Sequence, residues 1–336
     1  MMKLHFRNHM KRNFPIIGVK FILLVFFTFQ IISCQQQVDC TDLVETNGVF
    51  QIKGSNKPFT GTCEQTIEGI HKKIQYKNGK IDGMFNSWNT KGILLSEEYY
   101  SNGKLEGSSS IYYENGNLYR KTTYKNNLKE GKETKWFDNK VKKEETTYIN
   151  GKKNGKDIEW YANGNKKKEV HYIKDIPHGK WTTWYESGGK KEEGTYNYGQ
   201  KEGKWTVWYE NGNKMEETTY KAGLKHGEWT VWYETGNKNL SGKYNNDNLN
   251  GEWTVWYEDG HLKEKATYVS GKLDGPLKSF YPTGKIKSIF NYKKGLLEGK
   301  ALKFDTSGHI TTSIIYHNNS ISRTLFKDTA NKNPIF

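Results

Sequence analysis

Apolar and polar positions along this chain alternate in short runs that break at glycine, and the breaks return every 24 residues. An aromatic residue stands at one phase ten times, at Trp88, Tyr112, Trp136, Trp160, Trp184, Trp208, Trp232, Trp256, Phe280 and Phe304. Twelve residues after each comes a tyrosine, from Tyr100 through to Tyr316. Glycine follows the first aromatic by four residues in every repeat but one, where Lys140 takes its place, and another glycine column runs from Gly83 to Gly299. A fixed period carried by four columns, with no insertion, defines a repeat array.

The segment from Gly203 to Gly227 shows what one unit is. Trp205 to Tyr209 is aromatic and β-branched, as is Thr218-Thr219-Tyr220 at the end of Met215 to Tyr220, so both read as strands. Between them Glu210-Asn211-Gly212-Asn213 is turn chemistry, with Gly212 supplying a positive φ that a side chain resists. The link from Lys221 to Gly227 holds a second glycine pair and predicts a longer hairpin loop with a bulge. Lys190-Lys191-Glu192-Glu193 and similar runs suit helices, but glycine interrupts the regular part every few residues, and a helix of about seven residues is marginal in water. The fold class predicted is all-β, an elongated single-sheet array of antiparallel β-hairpin repeats with a period of 24. About twenty strands, each beside its sequence neighbour, at about 4.8 Å apiece would extend on the order of 90 to 100 Å. Residues three apart in a strand point to opposite faces, so Trp205 and Trp208, Trp229 and Trp232, and Trp253 and Trp256 divide between the two sides.

The N-terminus has a different grammar. Lys3, Arg7, Lys11, Arg12 and Lys20 precede an apolar run from Phe21 to Ile32, with no acidic residue, which is the pattern of a signal peptide over residues 1–33. The run is short of the roughly twenty residues a membrane span needs. It ends in Ile31-Ile32-Ser33-Cys34, similar to a bacterial lipoprotein cleavage box with Cys34 as the lipidated first residue; the competing reading is a plain secretory signal. Met10 is a second candidate start. In an exported chain Cys40 and Cys63 are placed either to bridge or to remain two free thiols. The expected division is therefore a signal peptide (1–33), a lipidated cysteine with tether and N-terminal cap (34–58), the array (59–316) and a C-terminal cap or tail (317–336).

The phased G-x-W-x-x-W-Y-x-x-G pattern, clearest at Gly203-Lys204-Trp205 through Gly212 and at Gly251-Glu252-Trp253 through Gly260, resembles the MORN repeat in its longer bacterial variant. It covers Gly61 to about Tyr316. Proteins built this way resemble the YwqK-type antitoxin family. The resemblance implies a partner-binding role, with neutralisation of a toxin protein as the expectation, and it transfers no catalytic residue. MORN arrays are also linked to membrane or scaffold association.

Composition and charge change this picture little. The net charge of +15 falls to about +10 without the signal, and recurring runs such as Lys142-Lys143-Glu144-Glu145 predict cross-strand charge pairs on a wet face. A mean hydropathy of −0.91 would suit a disordered chain, but 48 aromatic residues argue for a core of Trp and Tyr rungs. His171, His178, His226, His261, His309 and His317 form no cluster, and the column of His178 and His226 reads as a variable polar loop position. Two cysteines fall short of a zinc site. No catalytic residue, metal site, cofactor or nucleic-acid partner is expected.

Two classes of function remain. One is a non-enzymatic scaffold, held in the bacterial cell envelope by lipid at Cys34, that binds a protein partner as an antitoxin or immunity component. The other is an envelope lipoprotein that binds glycan or lipid on outward aromatics. Trp205, Trp208, Trp229, Trp232, Trp253 and Trp256 are the candidate contacts, weighed against a role as core rungs.

Overall fold

The computed structural model describes residues 36–327. The signal peptide, the lipidation at Cys34 and the final part of the tail lie outside the described residues. The described residues form a sheet of 27 strands, in which each arm pairs antiparallel with its sequence neighbours apart from one parallel pairing at the N-terminal end, and a separate two-stranded sheet. The array extends beyond the expected bounds, because Ser320–Lys327 adds a strand after Tyr316. The strand number rises further where three arms break into stubs, at Asn248–Leu249, Lys272–Leu273 and Leu296–Leu297.

Within a repeat the first arm, such as Gln200–Trp208, is joined to the second, Lys214–Lys221, by the predicted turn. There Tyr209 N–H donates to the Asn213 carbonyl at 2.8 Å and Gly212 N–H to the Tyr209 carbonyl at 3.0 Å, with Gly212 at φ +89°. The link to the next repeat is tighter than the sequence suggests. It is a two-residue turn, Ala222-Gly223, with φ of 49° and 83°, the type I′ geometry that matches the twist of hairpin arms. The bulge falls inside the following strand, between Lys225 and Trp229, which pair with Tyr220 and Thr218. Sister turns place Asn102, Asn126, Asn150 and Asn246 at the first position, the side chain that tolerates left-handed backbone best.

The two ends differ. At the N-terminal end Gln36–Asp39 pairs parallel with Gly61–Glu64, a hairpin of Leu43–Thr46 and Val49–Ile52 lies beside it, and Cys40 is joined to Cys63 by a disulfide of S–S 2.09 Å. Phe59, Cys63, Ile74 and Tyr76 pack there with Phe50 and Ile52 into a compact apolar cluster. At the other end Ser320–Lys327 is exposed along its whole length.

Between the ends no second layer covers the sheet among the described residues, yet a central strip on one face is buried. Alternation sends Gly203, Trp205 and Val207 to that face, with Glu216, Thr218 and Tyr220 opposite them. This is the tyrosine face. Lys204, Thr206 and Trp208 take the other, the lysine face.

Candidate functional site

On the lysine face four consecutive repeats build the same rung. A glutamate in the second arm is held by one lysine from the neighbouring arm and one from three residues before it. Glu145 meets Lys132 at 2.9 Å and Lys142 at 2.8 Å; Glu169 meets Lys156 at 3.3 Å and Lys166 at 2.7 Å. Glu193 meets Lys180 at 3.1 Å and Lys190 at 2.8 Å; Glu217 meets Lys204 at 2.8 Å and Lys214 at 2.7 Å. Hydrogen bonds from Lys142 and Lys132 hold the Glu145 carboxyl below its ordinary pKa. The lysine before each glutamate also lies over the tryptophan of the next repeat, Lys166 over Trp184 at 5.6 Å, Lys190 over Trp208 at 5.7 Å and Lys214 over Trp232 at 5.5 Å. A small recess between two such rungs is lined by Trp184, Lys180, Lys190 and His171. Repeats 228 and 252 then reverse the first charge, with Glu228 pairing Lys243 at 2.7 Å and Glu252 pairing Lys265 at 3.5 Å.

The tyrosine face has a different character. Trp205 is 3% exposed, with its N–H donating to the Thr195 carbonyl at 3.2 Å, Lys201 Nζ 3.8 Å from its ring centre and Tyr196 edge-on at 5.0 Å. Trp229 donates to Glu216 at 2.8 Å and packs at a tilt against Trp253, ring centres 5.8 Å apart. The six candidate tryptophans therefore fall into two sets of three on opposite faces. Trp208, Trp232 and Trp256 lie half-buried on the lysine face at the strand ends. Trp229 and Trp253 are half-buried on the tyrosine face, while Trp205 is packing.

Two ladders run along the edges and were not legible as functional columns. The tyrosine after each rung tryptophan donates its hydroxyl to the backbone carbonyl of the next rung: Tyr161 to Trp184 at 2.9 Å, Tyr185 to Trp208 at 2.7 Å, Tyr209 to Trp232 at 2.9 Å. At the opposite edge the column of His178 accepts from the turn N–H of the next repeat. Glu106 takes Asn126 N–H at 2.7 Å, Glu130 takes Asn150 at 2.8 Å, His178 Nδ1 takes Tyr198 at 3.3 Å and Glu202 takes Ala222 at 2.8 Å. The sequence shows this column as variable; most of its members share a side-chain acceptor used in this way, whereas His226 Nδ1 is buried without a partner. Among the described residues no three His, Cys, Asp or Glu side chains come together as a metal site, and no helix is long and apolar enough to cross a membrane.

The sheet and its rungs define an all-β hairpin-repeat protein. The family model described as "MORN repeat variant" matches residues 105–126, 153–174, 177–198, 201–222, 225–246, 249–270 and 273–294, so these seven stretches are MORN repeats. No curated protein matches the chain. Among solved structures it is similar to "Crystal Structure of TcdB2-TccC3-Cdc42", at 10% identity and TM-score 0.17 over 73% of this chain and 15% of that one. It is also similar to "Crystal Structure of TcdB2-TccC3 without hypervariable C-terminal region", at 10% identity and TM-score 0.17 over 75% of this chain and 17% of that one. The chain spans less than a fifth of the length of either, and a likeness this weak carries no argument.

Proposed function

We propose that this chain is a non-enzymatic scaffold, lipid-anchored in the bacterial cell envelope through Cys34, whose lysine face binds a protein partner. The observation that carries the reading is the repetition of one Lys–Glu–Lys–Trp rung through four repeats, at about 9.6 Å for each pair of strands. A partner that engages several identical rungs gains from their effective concentration, so weak single contacts add to useful affinity. An antitoxin or immunity role is the specific form the family resemblance suggests, with a toxin that acts at the envelope as partner.

An affinity capture with the mature, envelope-anchored chain from detergent-solubilised envelope tests this. The expected result is a stoichiometric protein whose recovery falls when Trp208→Ala and Trp232→Ala are combined. Capture that is unchanged by that pair, or no protein above background, overturns the reading. The anchor is tested separately by labelling cells with a palmitate analogue, with label on the wild type and none on Cys34→Ser.

A further inference from the structure

One repeat differs from its neighbours at several columns together. The family matches end at residue 126 and resume at 153, passing over the repeat that runs from 129 to 150. Lys140 stands at the glycine column with φ of 66°, a left-handed backbone that costs a non-glycine residue of order 1 kcal/mol or more. Phe137 stands where Tyr113, Tyr161, Tyr185, Tyr209, Tyr233 and Tyr257 stand in the sister repeats. Those tyrosines reach the carbonyl of the following rung at 2.7 to 2.9 Å, whereas Phe137 has no hydroxyl to give to Trp160. One repeat further on, Ala162 replaces the glutamate carried at 186, 210, 234 and 258.

Two of these departures, Phe137 and Ala162, meet in one place. A cleft of about 340 Å³ opens at the loop edge of the tyrosine face, lined among others by Phe137, Trp160, Tyr161, Ala162, Lys143 and Glu186. Lys143 Nζ stands 5.4 Å from the Phe137 ring centre. The carboxylates of Glu144 and Glu159 are already held by Lys135 and Lys168. Lys143 and Glu186 form no ion pair among the described residues. The cleft thus offers aromatic walls, a backbone acceptor that lacks the hydroxyl its sisters receive, the carboxylate of Glu186 and two ammonium groups, Lys143 and Lys167, the latter 3.9 Å from Glu159. Its size is at the small end of ligand pockets.

We propose that this cleft binds a sugar residue. A pyranose presents an apolar face of C–H bonds to aromatic rings and a rim of hydroxyls, one of which would donate to the Trp160 carbonyl in place of the missing tyrosine. Other hydroxyls would accept from Lys143 and donate to Glu186. The site goes beyond the partner-binding reading, because it opens on the other face and shares with the lysine-face rungs only Trp160, over which Lys142 lies. Glucose, N-acetylglucosamine and glucuronate are the probes, titrated into the full mature chain and followed by saturation-transfer difference NMR. The informative variant, Phe137→Tyr with Ala162→Glu, restores the residues that sister repeats carry, so it is expected to fold with a Tm no lower than wild type. The expected result is saturable binding of at least one of the three sugars near 1 mM on the order-of-magnitude scale, weakened about tenfold or more in the double variant. Absence of saturable binding by all three, or equal binding by the folded double variant, overturns the proposal.

Discussion

Two stretches of the same sheet fill the same buried strip with opposite chemistry. From residue 98 to 157 the strip on the tyrosine face reads Glu98, Ser109, Thr122, Glu133, Thr146 and Asp157; from 181 to 253 it reads Trp181, Gly194, Trp205, Thr218, Trp229, Gly242 and Trp253. Glu133 is 2% exposed and Asp157 is fully buried. In the first stretch Thr122 donates to Glu133 at 2.9 Å and Thr146 to Asp157 at 2.6 Å, while Lys129 lies 2.7 Å from Glu133 and Lys153 lies 3.1 Å from Asp157. In the second, indoles pack against glycine. A Cβ added at Gly194 would come within 2.2 Å of the Trp205 ring. The column that is buried follows from strand geometry; what fills it need only have the right volume and leave few polar groups unpaired. The seam between the two solutions shows the cost of mixing them. Trp229 finds its acceptor in Glu216, thirteen residues earlier, but the matching residue for Trp181 is Lys168, a donor, and the Trp181 N–H is buried without a partner.

Acid should separate the two stretches most strongly. Burial pushes the Glu133 carboxyl up, but hydrogen bonds from Lys129 and Thr122 and the charges of Lys129 and Lys135 outweigh it, and the net shift is downward. Asp157 behaves alike, burial opposed by Thr146, Lys153 and Lys168. A carboxyl whose folded pKa lies below its unfolded value contributes stability above the unfolded pKa, and loses it as pH falls through the folded one. The ordinary values are 4.5 and 3.8, so the contribution is whole at neutral pH and drains below about pH 4.5. Hydrogen exchange at pH 3 is expected to show residues 120–170 losing protection before residues 195–255. Uniform loss along the array would mean that the repeats unfold as one unit and the contrast in filling has no consequence.

At neutral pH the same contrast can be broken one residue at a time. Asp157→Ala leaves Lys153 and Lys168 crowded on an uncharged strip and is expected to cost about 3 to 5 kcal/mol by urea unfolding. Combining it with Lys153→Met and Lys168→Leu should recover most of that loss, because a well-packed apolar filling replaces a buried ion cluster at little or no cost. Failure of the triple variant to recover would show that the polar strip is required for the fold of this stretch. In the aromatic stretch Gly194→Ala is expected to cost about 1 to 3 kcal/mol through overpacking against Trp205, read as a lower Tm. Trp205→Leu in the same chain should return part of it.

Much of this was legible beforehand, for physical reasons that can be named. A period of 24 and the division of Trp205 and Trp208 between faces follow from strand alternation alone, and Gly212 announces its turn because only a positive φ closes it. The polar strip was not legible. Glu133 and Asp157 look like ordinary members of charged runs, and their burial depends on Thr122, Thr146 and lysines in neighbouring arms, which only the register brings together. Reading the core as Trp and Tyr rungs throughout holds for residues 181–253 and misses residues 98–157. The acceptor role of the His178 column was hidden by its variety, since Asp, Glu, Asn and His share an acceptor but not a shape. The two-residue turn at Ala222-Gly223 was masked by a glycine pair that serves two features, the turn at Gly223 and the bulge at Gly227.

The edge ladder makes the finest comparison, because the array contains its own control. Tyr209→Phe removes one hydroxyl from the Trp232 carbonyl and nothing else, and should cost about 0.5 to 1.5 kcal/mol, the ordinary net worth of one hydrogen bond. Phe137→Tyr adds the same group to the one interior rung of the ladder where Phe replaces Tyr, and should return a gain of similar size. Equal and opposite shifts in the urea midpoint would mean that each rung contributes independently, as expected where repeats contact only their neighbours. A loss at 209 without a gain at 137 would show that the repeat from 129 to 150 is set apart by more than the missing hydroxyl, and that the left-handed Lys140 holds Phe137 away from the position its sisters occupy.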